Sequence, residues 1–155
     1  MQFNITNTIV IVGALVLCTS AYILYSHRSN YKNSRGDVAM TFNQNIFKLA
    51  EQNSFFRKEL ITGEHSQIVL MSIPVGGEIG MERHKVDQTL VFVSGHGQAI
   101  INGEVSDVYA QHLAFVPANT DHNFKNVGSD DLKLFTVYAP PQHKPGTIEK
   151  TKKYD

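Results

Sequence analysis

Apolar residues divide the chain into three regimes. From Ile9 to Tyr25 they run almost unbroken, IVIVGALVLCTSAYILY, with no charge for 17 residues. That is the short end of what crosses a bilayer as a helix. Residues 26–41, SHRSNYKNSRGDVAMT, show no periodic apolar face and read as a linker. From residue 42 onward the apolar positions fall into short groups with two periods. In Asn43 to Asn53, Ile46, Phe47, Leu49 and Ala50 form a helical stripe flanked by Asn, which predicts a short helix covering an open end of the domain behind it. The remaining groups are β-rich: Phe55 to Ile61, Gln67 to Ile73, Gln88 to Ser94, Gln98 to Ile101, Glu104 to Tyr109, His112 to Val116 and Leu132 to Tyr138. Asn102-Gly103 predicts a two-residue hairpin, and Gly95-His96-Gly97 reads as a tight turn between antiparallel strands. Pro140-Pro141 ends the last strand, because proline cannot donate to a ladder. About eight to ten short strands with regular turn signals predict an all-β domain, a sandwich or jelly roll, over residues 42–155.

One group carries candidate chemistry. In an extended Met81-to-Leu90 segment, period-two alternation puts Glu82, His84, Val86 and Gln88 on one face and Arg83, Lys85, Asp87 and Thr89 on the other. A single inward histidine is ordinarily a hydrogen-bonded core residue. A glutamate beside it changes the balance, because burying a carboxylate costs several kcal/mol unless it is paired or bound to a cation. His122, in PANTDHNFKN, can supply a second imidazole from a neighbouring strand. Asp121 either orients that histidine or is solvated. His65 and His96 sit in turn-forming segments and read as solvent-facing.

The spacing of these residues resembles the two motifs of the cupin superfamily. The first is Gly, five residues, His-x-His, three residues, Glu, six residues, Gly; the second includes Pro-x-Gly-x-x-His-x-x-x-Asn. Here Gly76, Glu82, His84, Gln88 and Gly95 fill the first frame, and Pro117, Asn119, His122 and Asn126 the second. Glu82 stands where the first His is expected and Gln88 where the Glu is. Asn119 replaces a glycine, an acceptable exchange because both tolerate positive φ, and Gln111 stands at the second motif's opening glycine. The run from Phe55 to Lys152 is similar to small single-domain cupins of the mannose-6-phosphate-isomerase-like type. The resemblance implies a cupin jelly roll (double-stranded β-helix) with a pocket inside the barrel, metal ligands at Glu82, His84, Gln88 and His122, and association as a homodimer. It also implies that the C-terminal segment with His143 either folds near the barrel mouth or is a mobile basic tail. Fold does not fix reaction here, since cupins include isomerases, dioxygenases and binding proteins.

Composition narrows the partners. With 14 basic and 14 acidic residues the net charge is zero, so nucleic acid has no electrostatic footprint to bind. The single cysteine, Cys18, lies in the apolar run, so no intramolecular disulfide forms and no cysteine nucleophile reaches the β domain. The segment before Ile9, residues 1–8, lacks Lys and Arg, and Arg28, Lys32 and Arg35 follow the run. This pattern predicts an uncleaved single-pass transmembrane helix or signal anchor at 9–25, with the β domain on the cytoplasmic side. The alternative is a secreted domain after cleavage near Thr19-Ser20-Ala21.

Two imidazoles with one carboxylate and a neutral Gln oxygen suit a divalent transition metal, Fe, Mn, Ni or Zn, better than Ca. Such a centre would bind a small, sugar-like molecule and act as a metal-dependent isomerase, polarising a carbonyl or enediol oxygen. Two alternatives share the site: a non-haem Fe dioxygenase, and a small-molecule-binding domain without turnover.

Overall fold

The computed structural model describes residues 41–152, so the tail 1–8, the expected membrane segment 9–25 and all but the last residue of the linker lie outside the described residues. Among the described residues no helix is long and apolar enough to cross a membrane. These residues form one helix, α1 (Ile46–Gln52), and ten strands: β1 (Arg57–Thr62), β2 (Gln67–Ile73), β3 (Glu82–Arg83), β4 (Asp87–Ser94), β5 (His96–Ile101), β6 (Glu104–Tyr109), β7 (Leu113–Val116), β8 (Asp121–Asn126), β9 (Leu132–Ala139) and β10 (Ile148–Glu149). They make two antiparallel sheets, a six-stranded one in the order β10-β1-β2-β9-β4-β7 and a four-stranded one in the order β3-β8-β5-β6. This is the expected jelly roll.

Alternation explains which side chains meet between the sheets. On β9 the sequence LKLFTVY turns Leu132, Leu134, Thr136 and Tyr138 inward, all buried, while Lys133, Phe135 and Val137 are less so. Their partners on β2 are Ile73, Met71, Val69 and Gln67. On β4, Phe92, Leu90 and Gln88 oppose Leu134, Thr136 and Tyr138. Each inward row is therefore apolar at one end and polar at the other. Phe92 of one sheet meets Phe124 of the other at 5.7 Å, closing the apolar end. The polar end, where Gln67, Gln88 and Tyr138 lie side by side, is where the site forms.

Three elements depart from the sequence expectation. Gly95 is not the tip of a hairpin: β4 pairs with β7 and β9 while β5 pairs with β6 and β8, so Gly95 is the corner at which the chain changes sheets. Its φ is +90°, and a Cβ there would lie 2.8 Å from the Asp131 carbonyl oxygen, so both conformation and space require glycine. Helix α1 does not cover an open end of the barrel. It lies on the outer face of the six-stranded sheet, with Phe47 edge-on to Phe135 at 5.8 Å. Asn45 caps its start by accepting from the Lys48 amide (3.0 Å), and Lys133 Nζ donates to the Glu51 and Asn53 carbonyls at its end. Finally, the strand that Pro140-Pro141 ends, β9, is not the last: β10 follows it, and β9 lies in the interior of the sheet, between β2 and β4.

The Asn102-Gly103 hairpin forms between β5 and β6 with φ of 50° and 85°. Asn119 and Gln111, the two residues standing for motif glycines, both adopt positive φ, 64° and 72°. Of the two readings left open for the C-terminus, the folded one holds through Lys152. β10 pairs with β1, the Glu59 amide donates to the Thr147 carbonyl (2.8 Å), and the Gln67 amide side chain holds both the His143 carbonyl and its N–H at 2.8 Å.

Candidate metal centre

The ligand-bearing segment is less regular than a single strand. Glu82 and Arg83 pair with β8, the ladder breaks at His84, and β4 begins at Asp87 in the other sheet. Alternation nevertheless survives the break. Val86 and Gln88 are buried and Glu82 and His84 partly so, whereas Arg83, Lys85 and Asp87 are exposed. Glu82 and His122 are direct cross-strand neighbours. As a result Glu82, His84 and His122 each offer a ligand atom, and these atoms lie within 4.8 Å of one another. His84 Nε2 is 3.1 Å from Glu82 Oε2, and the two imidazole rings are 5.2 Å apart between centroids.

Their surroundings set the state of His122 and of Glu82. His122 is 1% exposed, its Nδ1 donates to the Thr120 carbonyl at 2.8 Å, and its Nε2 is buried without a partner. Tying one ring nitrogen to a carbonyl sets the tautomer and leaves the other with a lone pair, as metal-bound histidines require. Burial depresses the His122 pKa against the raising effect of that backbone bond, which keeps the ring neutral. For Glu82 burial raises the pKa, but the His84 hydrogen bond and the Arg57 charge outweigh it, so the carboxyl sits below its ordinary value and is ionised.

Around the three ligands lie residues the sequence reading did not assign to the site. Arg57 of β1, with 11% of its side chain exposed, donates from Nη2 to Glu82 Oε1 (3.1 Å) and from Nη1 to Glu149 Oε2 (2.8 Å). Tyr138 packs edge-on to His84 at 5.7 Å and to His143 at 5.1 Å, and its hydroxyl accepts from Gln88 Nε2 at 3.1 Å. Burial drives the Tyr138 pKa far above its ordinary value, so the phenol stays protonated. Burial, reinforced by Arg57, lowers the His143 pKa to about 4. The signal that could have revealed Tyr138 is parity, since it is a polar residue at an inward position of the mostly apolar β9; the strand of Arg57, RKELIT, carries no such signal. Gln88 stands one contact from the three ligands, through Tyr138. Its Oε1 is buried without a partner, as are Arg57 Nε, Thr136 Oγ1 and His143 Nε2.

Among the described residues, His65 and His96 stay apart from the site. His65 has 87% of its side chain exposed, and His96 stacks on Tyr109 at 4.4 Å beside Asp107. Asp121 does not orient His122; it holds Arg83 Nε at 2.6 Å on the exposed face. Two imidazoles and a carboxylate with an unmatched buried lone pair fit a divalent transition metal.

The sequence and the fold both have relatives. Residues 69–138 match the family profile described as Cupin domain. The chain is 42% identical to the protein YrkC of Bacillus subtilis (strain 168) over 116 residues, covering 70% of this chain and 62% of that protein. It is 33% identical to protein L612 of Acanthamoeba polyphaga mimivirus over 110 residues, covering 68% and 69% of the two chains. The crystal structure of BH2720 from Bacillus halodurans superposes with a TM-score of 0.69 at 39% identity, covering 70% of this chain and 88% of that one. This chain thus spans less than two thirds of the Bacillus subtilis relative.

Proposed function

Starting from a chain that belongs to the cupin domain family, we propose that its barrel binds one divalent transition metal and a small oxygen-rich molecule beside it. Glu82, His84 and His122 are the ligands, and Gln88 contributes a neutral oxygen to the same pocket. The observation that carries this reading is the buried, unpartnered Nε2 of His122, whose other nitrogen is tied to the Thr120 carbonyl. A lone pair in that position is a net cost to folding unless something binds it.

When bound, the metal supplies Lewis acidity toward a carbonyl or enediol oxygen. The chain supplies the rest. Arg57 holds one oxygen of Glu82 and His84 the other, and Tyr138, hydrogen-bonded to Gln88, packs against His84 from the six-stranded sheet. His143, neutral at pH 7 with Nε2 unpartnered, is placed to take a proton from a bound molecule. These groups are consistent with a metal-dependent isomerase of the mannose-6-phosphate-isomerase-like kind, the activity proposed for the site. The same ligand set also serves Fe(II) oxygen chemistry, and that second reading is separated by oxygen consumption. A third arrangement, binding without turnover, shows as ligand affinity with no product. We further propose that residues 9–25 tether the domain to a membrane.

Elemental analysis of the full chain, as purified and after reconstitution, tests the metal. The expected result is about one equivalent, lost in both His84→Ala and His122→Ala. Less than about a tenth of an equivalent of any transition metal after reconstitution would remove the proposal.

A further inference from the structure

Glu82 differs from the two histidines of the centre in having two oxygens, either of which a carboxylate can turn toward a metal. Here they are assigned separately. Oε2 lies 3.1 Å from His84 Nε2, and Oε1 accepts from Arg57 Nη2 at 3.1 Å. Arg57 thus occupies one oxygen and leaves the other beside the histidine. Partners of this kind orient a metal ligand without touching the metal.

Arg57 is in turn held by Glu149. The two are direct cross-strand partners on β1 and β10, and Arg57 Nη1 donates to Glu149 Oε2 at 2.8 Å. The guanidinium is a planar fork, and each of its terminal nitrogens meets a different carboxylate. The resulting chain of contacts, Glu149 to Arg57 to Glu82, also crosses between the sheets, since β1 and β10 belong to the six-stranded sheet and β3 to the four-stranded one. Without Glu149 the long Arg57 side chain regains rotamer freedom, and Glu82 loses a fixed partner. Yet Glu149 sits on a weakly held element. β10 is two residues long and lies at the edge of its sheet, where local opening is easier than in the interior.

Resting on the metal reading above, we propose that Arg57 and Glu149 are positioning residues for the metal ligand Glu82, so that docking of β10 completes the metal centre and metal binding in turn holds β10 in place. The gain is pre-organisation: with β10 docked, Glu82 is oriented before the metal arrives. By linkage, the factor by which docked β10 raises metal affinity is the factor by which the metal favours docking.

Two readouts on the full chain at fixed pH test this: Co²⁺ affinity, and hydrogen exchange with and without Co²⁺. Glu149→Ala should weaken Co²⁺ binding about tenfold, the low end for loss of a group that orients a metal ligand, and Glu149→Gln, which keeps an acceptor for Arg57, should fall between it and the parent. Arg57→Lys replaces the fork by a single nitrogen and should weaken binding as much. Adding Glu149→Ala to it should then cost less than about twofold more, because both changes break one relay. In the parent, Co²⁺ should slow exchange in residues 147–150 by a factor comparable to the affinity lost in Glu149→Ala, and in Glu149→Ala it should protect β3 and β8 but not these residues. An affinity in Glu149→Ala within about twofold of the parent, or exchange in residues 147–150 of the parent that ignores Co²⁺, overturns the relay and leaves the metal centre standing. Absence of Co²⁺ binding by the parent overturns the centre itself, and the relay with it.

Discussion

His122 is buried and His143 half-buried, and they differ in what holds them. His122 is locked through Nδ1 and opposes Glu82 across a ladder, while His143 hangs from the C-terminal segment with its backbone clasped by Gln67. The groups facing His143 are Arg57, Glu82, His84 and Glu149, with the Tyr138 ring against it. Burial and the Arg57 charge hold its pKa at about 4, below the 6.5 of an exposed ring. Between those values the unfolded chain binds a proton that the folded chain refuses. Stability contributed by neutral His143 is therefore fully present above 6.5 and is lost as pH falls toward 4. Urea denaturation at a series of pH values should show a decline through this window, and His143→Gln should flatten it. The slope attributable to this ring cannot exceed the one-proton limit of about 1.4 kcal/mol per pH unit and is smaller because the ring is partly exposed. Identical pH profiles for parent and variant would contradict this assignment. Residue parity put Glu82, His84 and Gln88 on one face in the sequence, and the spacing of the second motif pointed to His122, which lies with Glu82 and His84 in one group. Arg57 escaped because its strand, RKELIT, shows no clean alternation, and the register with β2 shifts between Glu59 and Ile61.

Among the elements, the C-terminal segment depends on the rest of the domain most conspicuously. Residues 142–150 have few apolar contacts of their own, and Ile148 is 56% exposed. They are held by polar groups of β1 and β2: Arg57 to Glu149, Glu59 to the Gly146 N–H at 2.9 Å, and Gln67 to His143. Replacing Glu59 with Ala removes one clasp and leaves the Gly146 amide unpaired. Hydrogen exchange should then accelerate in residues 142–150 while β4 and β9, the interior strands, keep their protection. Acceleration spread evenly over both sheets would mean that Glu59 supports the whole fold instead. Strand positions were readable because alternation and turn residues are local signals. The sheet to which each strand belongs was not, as Gly95 illustrates: a glycine-flanked bend looks the same whether the chain reverses beside itself or crosses to the opposite sheet. Helix α1 shows a similar limit, since its apolar stripe told that it packs but not against which surface.

At the scale of the whole molecule, the membrane segment and the metal site can be tested independently. The expectation that residues 9–25 anchor the domain concerns a segment outside the described residues, and alkaline carbonate extraction of membranes checks it: an anchored chain stays in the pellet, and release to the supernatant removes the tether without touching the metal site. The metal site rests on Glu82 and His122, paired across β3 and β8 of the four-stranded sheet, and on His84 just past the end of β3, whose ligand atoms lie within 4.8 Å of one another. Its most direct measurement is the X-ray absorption spectrum of the full chain loaded with one equivalent of Co²⁺. Two imidazole ligands with oxygen donors, at about 2.0–2.2 Å, are expected of this site, with the loss of one imidazole in each of His84→Ala and His122→Ala. A shell of oxygen atoms alone, or a spectrum unchanged by either substitution, would contradict it.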